Sequence, residues 1–128
     1  MQITKETVLT ALQESVPNYQ IDSEWLSDGL TYPAFGDFAR FICAEAQVLQ
    51  YAHSEAEASE LNQVNQVRFS MTFLERALQD GDGDVHDLVF DCIETLASCE
   101  WIDQIKKYFG PEINALWSQH FPNCNRGV

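Results

Sequence analysis

Phe69-Ser-Met-Thr-Phe-Leu-Glu-Arg-Ala-Leu-Gln79, then Asp80-Gly-Asp-Gly-Asp84, then Val85-His-Asp-Leu-Val-Phe-Asp-Cys-Ile-Glu-Thr-Leu96: this stretch decides the fold. Two apolar helical patterns flank five residues with the composition of a turn. Val64, Val67, Met71, Leu74 and Leu78 step by three or four, which places them on one helix face, and Phe73 and Ala77 widen the stripe. Val85, Leu88, Val89, Cys92, Ile93 and Leu96 repeat the pattern. Gly81 suits the left-handed position just past a helix end. Asp84 is placed to cap the next helix, with Asp87 in its first turn, where the helix dipole favours an anion. Two amphipathic helices joined so tightly pack antiparallel. The expectation is an all-α fold, a compact bundle of six or seven helices around this central antiparallel hairpin.

The rest of the chain supplies the other helices. Thr4 can cap a first helix that Pro17 stops. Ser23 caps a short piece over 24–30 bearing Trp25 and Leu26. Pro33 suits the first position of a third helix over 34–52, with Phe35, Phe38, Phe41, Ile42, Glu45, Val48 and Leu49 on its buried side and flank. The polar stretch 53–60 is a loop or the start of a fourth helix that runs to Gln79. A fifth covers 85–98 and a sixth 100–109. After Gly110-Pro111 a last helix reaches about His120. Residues 122–128 read as a tail. No stretch alternates with period two for long enough to make a strand. No linker interrupts the chain, so residues 1–128 form one domain, long enough to bury a real core.

Seven basic against twenty acidic residues give a formal charge of -13. Nucleic acid and anionic membrane both require a basic surface, so neither is an expected partner. A basic protein or a metal cation is compatible with that charge, as is simple solubility. The N-terminus lacks a signal-peptide pattern, and no apolar run approaches the ~20 residues that span a bilayer. Cys43, Cys92, Cys99 and Cys124 show no CxxC spacing. Cys43 and Cys92 fall in apolar stripes and read as small core residues. Free thiols in a reducing cytoplasm are therefore expected.

No constellation for catalysis stands out, and no cofactor is expected. Asp80-x-Asp82-x-Asp84 has the start of a calcium loop, but its sixth position is Val85 and its twelfth Asp91, where such loops carry Gly and Glu. No metal site is assigned. His53, His86 and His120 lie far apart; gathered in one pocket with Glu75 or Glu94, they would suggest an enzyme with dispersed residues. Glu75, with Arg68 and Arg76 as candidate partners, Glu94, and Glu45 with Arg40 read as members of interhelical salt bridges, a polar pocket being the functional alternative. Two acidic groups remain as a candidate partner-binding surface: Asp80, Asp82, Asp84 and Asp87 at one end of the hairpin, and Glu55, Glu57 and Glu60. Solvated decoration is the alternative.

The pattern Phe73-Leu74-Glu75-x-x-Leu78, a Gly/Asp turn, Asp84-Val85-x-Asp87-Leu88-Val89 and Ile93-Glu94-x-Leu96 resembles small all-helical bacterial immunity proteins of polymorphic toxin systems, including contact-dependent growth inhibition. The resemblance spans residues 38–117 and centres on 73–96. It implies a cytoplasmic protein, not an enzyme, that binds and neutralises a cognate toxin domain, often a basic nuclease. Occlusion of the toxin's active site or substrate groove would be the mechanism. The resemblance carries over no binding residues. A helical scaffold or adaptor for a host protein is the other reading.

Overall fold

Helix α3 (Thr31–Leu49) touches most of the other elements, and the sequence shows why. Thr31, Ala34, Phe35, Phe38, Ala39, Ile42, Ala46 and Leu49 are all buried, a stripe broad enough to meet several neighbours at once. The computed structural model describes residues 2–49 and 62–121. Within them lie α1 (Val8–Ser15), α2 (Ser23–Asp28), α3, α4 (Asn62–Asp80), α5 (Gly83–Ala97), α6 (Ile102–Lys106) and α7 (Pro111–His120). The fold is all-α; among the described residues the extended pairing is a single bridge between Ile3 and Gly81. Helix α3 packs on α4 and α5, which also pack on each other, while α6 lies against α3 and α7 against α4. Both apolar stripes read from the sequence are buried: Val64, Val67, Met71, Leu74 and Leu78 in α4, and Val85, Leu88, Val89, Cys92, Ile93 and Leu96 in α5. Phe35, Phe38 and Phe73 meet at 6.2–6.3 Å between ring centroids, the tilted and edge-on geometry that aromatic quadrupoles favour.

The turn between α4 and α5 differs from expectation in two ways. Gly81 is not left-handed; the positive-φ glycine among the described residues is Gly29, at φ 67°, which ends α2. Gly81 is required by space instead. A Cβ there would run into the Ala77 carbonyl and lie 2.5 Å from Val85 Cγ1. The cap of α5 is Asp82, not Asp84: its Oδ1 accepts from the Val85 amide at 3.1 Å, and the helix begins at Gly83. The helix starts two residues earlier than the apolar pattern because Gly83 and Asp84 form its exposed first turn.

The N-terminal segment closes this turn. The Ile3 amide donates to the Asp80 carbonyl (2.8 Å), the Asp82 amide donates to the Ile3 carbonyl (3.2 Å), and the Ile3 side chain is buried. The chain then turns through Thr4–Thr7, where the Thr4 amide donates to Thr7 Oγ1 and the Thr4 carbonyl accepts from Val8. Hence α1 starts at Val8, four residues after the cap read from the sequence.

The cysteines also depart from expectation. Cys43 on α3 is bonded to Cys99, just beyond the end of α5, across a sequence separation of 56 and a Cα–Cα distance of 6.1 Å. Neither position announces a pairing in sequence, since partners on different helices leave no local spacing signature. Cys92 is a buried free thiol, and burial pushes its pKa up, away from reactivity. Among the described residues, no helix is long and apolar enough to cross a membrane.

Candidate protein-binding face

Because Ile3 is pinned to the α4–α5 turn, residues 2–14 are laid across the surface as a ridge with hollows on either side. One of these hollows is an open groove of about 580 Å³. It is lined by Ile3, Glu6, Thr10, Ala11 and Glu14 of the N-terminal segment and by Arg76 and Asp80 of α4. Glu6 and Thr10 also border a second hollow with Lys5, Leu9, Leu26 and Gly29. Lys5 in turn borders a third, with Thr31, Tyr32, Asp84 and Leu88. The three share residues in sequence along the ridge, so they form one continuous face. Beside it stand three exposed apolar side chains from a short stretch of chain: Leu26 and Leu30, each 42% exposed, and Tyr32, 53% exposed.

The aspartates of the turn are not one patch. Asp80 lines the large groove, and its carbonyl holds Ile3. Asp82 spends its carboxylate on the Val85 amide. Asp84 and Asp87 are exposed on the first turns of α5, on the side of Tyr32. The Tyr32 phenol is held above its ordinary pKa by reduced hydration first, and then by the negative charges of Asp87, Asp91 and Asp84. Those three acids and the ring therefore belong to one electrostatic neighbourhood. Glu55, Glu57 and Glu60 lie outside the described residues.

The groups weighed for catalysis are drawn into structural contacts. His86 places Nε2 2.8 Å from the Leu78 carbonyl, across the turn. The His120 ring stands edge-on to Phe90 at 4.9 Å, and His53 lies outside the described residues. Among the described residues, no three His, Cys, Asp or Glu side chains gather to hold a metal. Glu94 is exposed. Glu45 is half-buried, and burial raises its carboxyl pKa.

Glu75 corrects a further expectation. It does not join an interhelical salt bridge; it caps a helix from a distance. Its Oε2 accepts from the Glu112 amide (2.8 Å) and its Oε1 from the Ile113 amide (3.0 Å), in the first turn of α7. The cap position itself is Gly110, which has no side chain to offer, and Pro111 follows. A carboxylate at a helix N-terminus satisfies orphan amides and complements the dipole. Arg40 lies 3.6 Å from Asp37 on its own helix, a surface pair worth little. Asp37 also accepts from the Tyr19 hydroxyl at 2.8 Å, which raises the phenol pKa after burial has done so first.

A scan against family models, a search of curated proteins and a search of solved structures each found no match for this chain. The sequence does not mark Leu26, Leu30 and Tyr32 as exposed, nor Glu6 and Glu14 as lining a groove. Leu26 reads as part of the short helical piece over 24–30, and nothing in the local pattern marks it as uncovered. Glu6 and Glu14 are ordinary helix-surface acids until the Ile3 bridge sets them opposite α4.

Proposed function

We propose that the protein is a stoichiometric inhibitor of the immunity type, which binds a basic toxin domain such as a nuclease and blocks its active site or substrate groove. The observation that carries this reading is the exposed Tyr32 ring beside Asp84, Asp87 and Asp91, with Leu26 and Leu30 exposed in the same short stretch of chain. Partly exposed aromatic and aliphatic anchors next to fixed charges are the features that concentrate binding energy at protein interfaces. A formal charge of -13 adds long-range attraction for a basic partner and repels nucleic acid and anionic membrane. In the complex, the carboxylates of α5 would stand where substrate phosphates stand, and Tyr32 would fill a pocket between them. The role is binding and not catalysis. It is supported by the engagement of His86, His120 and Glu75 in contacts that hold the fold. No cofactor is required.

The cytoplasmic placement carries a condition. In a reducing compartment Cys43 and Cys99 are thiols, and helix packing alone has to hold α3 to the end of α5. Blocking thiols in intact cells decides this. A pair trapped as free thiols fits cytoplasmic action, and a bonded pair moves the protein to an oxidising compartment.

The test is co-purification from the source cells at low and high salt, followed by a protection assay with the toxin recovered. A single basic toxin domain at near-equal stoichiometry, bound more weakly in high salt, is the expected result. Tyr32→Ala should weaken capture by about tenfold or more, the size of an interface anchor. Asp84→Lys with Asp87→Lys should remove most of the salt dependence. Capture of a non-toxic host protein instead would replace this reading with the adaptor one.

A further inference from the structure

The large groove between residues 2–14 and α4 belongs to the same face as Tyr32 but shares no lining residue with the hollow that Tyr32 borders, and its lining has a particular chemistry. Ile3 and Ala11 give it an apolar floor between polar neighbours, Ile3 being buried and Ala11 half-buried. Three carboxylates, Glu6, Glu14 and Asp80, stand around it, against one guanidinium, Arg76. A neutral apolar ligand would leave those carboxylates facing it without compensation, and an anionic ligand would meet a net negative rim. A side chain with a long aliphatic stem and a cationic tip matches both parts, since its stem can lie on apolar surface while its charge stays at a wet, acidic edge. The volume of about 580 Å³ is that of a site for a multi-residue segment, not a single small ion.

We propose that this groove is a second docking site, which takes a short basic segment of a protein partner and lays a lysine or arginine stem across Ile3 and Ala11, with its tip among Glu6, Glu14 and Asp80. The floor is built in advance. Ile3 is fixed by two backbone hydrogen bonds to the α4–α5 turn, so ordering the groove costs a partner little. Arg76, one helical turn before Asp80, sits on the opposite wall from Glu6 and Glu14 and is placed to receive a carboxylate of the same segment, which sets its direction. The inference rests on the proposed function only in taking the partner to be a basic protein. It does not depend on that protein being a toxin.

The experiment is an NMR titration of the full chain, isotope-labelled, at physiological salt. The probe is a capped heptapeptide carrying two arginines and two leucines, and the control has glutamates in place of the arginines. Saturable shifts of amides in residues 2–14 and 76–82 with the arginine peptide, and none with the control, are the expected result. Glu6→Gln with Glu14→Gln should weaken that binding at least tenfold, while Tyr32→Ala leaves it unchanged. Thr10→Arg, an exposed position that fills the groove from its wall, should abolish it. Circular dichroism of each variant confirms the fold. Shifts centred on Tyr32 and α5, shifts that never saturate, an unchanged affinity in the Glu6/Glu14 variant, or self-association that covers the groove would each overturn the proposal. Loss of toxin capture in Tyr32→Ala with the groove titration intact would support both the proposed function and a groove that acts apart from Tyr32. A failed titration with toxin capture intact would sink the groove alone.

Discussion

The contact from Glu75 to the start of α7 offers a test in which one perturbation should change sign. Glu75→Ala leaves the Glu112 and Ile113 amides without their acceptors. Losing a side-chain cap costs about 0.5–2 kcal/mol, and charge-assisted hydrogen bonds are stronger than neutral ones. Glu75 is partly solvent-exposed, and water can replace it in part, so we expect about 2 kcal/mol, or a fall in melting temperature of roughly 8 °C for a chain of this size. Glu75→Gln keeps one acceptor oxygen and should cost about half as much. Gly110→Ala reports on the same contact from the other side. Its backbone, at φ -85°, is one that alanine adopts freely, yet a Cβ there would lie 2.5 Å from both Cδ and Oε1 of Glu75. In the wild-type background Gly110→Ala should therefore destabilise by about 1–2 kcal/mol, as the carboxylate is pushed off the amides. In the Glu75→Ala background the obstruction is gone, and alanine then restricts the unfolded chain, so the same change should stabilise by about 0.5 kcal/mol. Urea unfolding of the four proteins closes the cycle, and hydrogen exchange at the Glu112 and Ile113 amides locates the effect. Equal costs for Gly110→Ala in both backgrounds, or unchanged exchange at those amides in Glu75→Ala, would refute the capping argument.

Three further outcomes follow from the same structure. Reducing Cys43–Cys99, which closes a loop of 56 residues, should lower stability by about 4 kcal/mol through the chain entropy released in the unfolded state; an unchanged urea midpoint with thiols shown to be free would count against the bond as a stabilising staple. Tyr19 and Cys92 both hold their protons more tightly when folded, so they bind more protons in the native than in the unfolded state above pH 9–10. Their contribution is then complete below pH 9 and is lost as pH rises, and alkaline unfolding should be shallower in Tyr19→Phe; a steeper or unaltered profile would contradict this. Gly81→Ala should cost about 2 kcal/mol, because the clash is with backbone and the root of Val85, whereas Gly83→Ala, with open space around it, should be neutral or slightly stabilising; similar effects at the two sites would mean that the turn is not packed as described.

Legibility from sequence followed the distance over which each signal acts. The apolar stripes of α4 and α5 lie on single helices, so their period alone identified Val64 to Leu78 and Val85 to Leu96 as core. Phe35, Phe38 and Phe41 of α3 are legible for the same reason. Caps were less so. Asp82 and Asp84 have the same chemistry two residues apart, and the choice between them depends on how many exposed residues precede Val85 in the helix. Gly81 was recognised as a necessary glycine for the wrong reason: composition cannot distinguish a left-handed backbone from a missing Cβ that makes room for Val85. Glu75 with α7, at separations of 37 and 38, Cys43 with Cys99, and Ile3 with Asp80 and Asp82 were invisible. Each joins positions far apart in the chain with no local pattern on either side. The groove belongs to that group, because it exists only once Ile3 has set residues 2–14 against α4.

That distinction bears on how the acidic turn should be dissected. As a sequence, Asp80 to Asp87 is one run of negative charge, and reversing all four carboxylates would look like a clean test of an electrostatic interface. In the fold they do different work. Asp82 holds the first turn of α5 through the Val85 amide, so Asp82→Lys loses a cap and sets a cation against the positive end of the helix dipole. Any loss of binding in a variant containing it would be confounded with a loss of folded protein. Asp84 and Asp87 are exposed and accept no such bond, while Asp80 faces the groove on the other side of the ridge. Reversing Asp84 with Asp87, and separately Asp80, therefore reports on two surfaces at a smaller cost to the fold than Asp82→Lys, since Asp84 and Asp87 meet the dipole of α5 but cap none of its amides. If Asp82→Lys alone lowers the melting temperature while the other two variants leave it in place, a binding defect in either of those can be assigned to its own face.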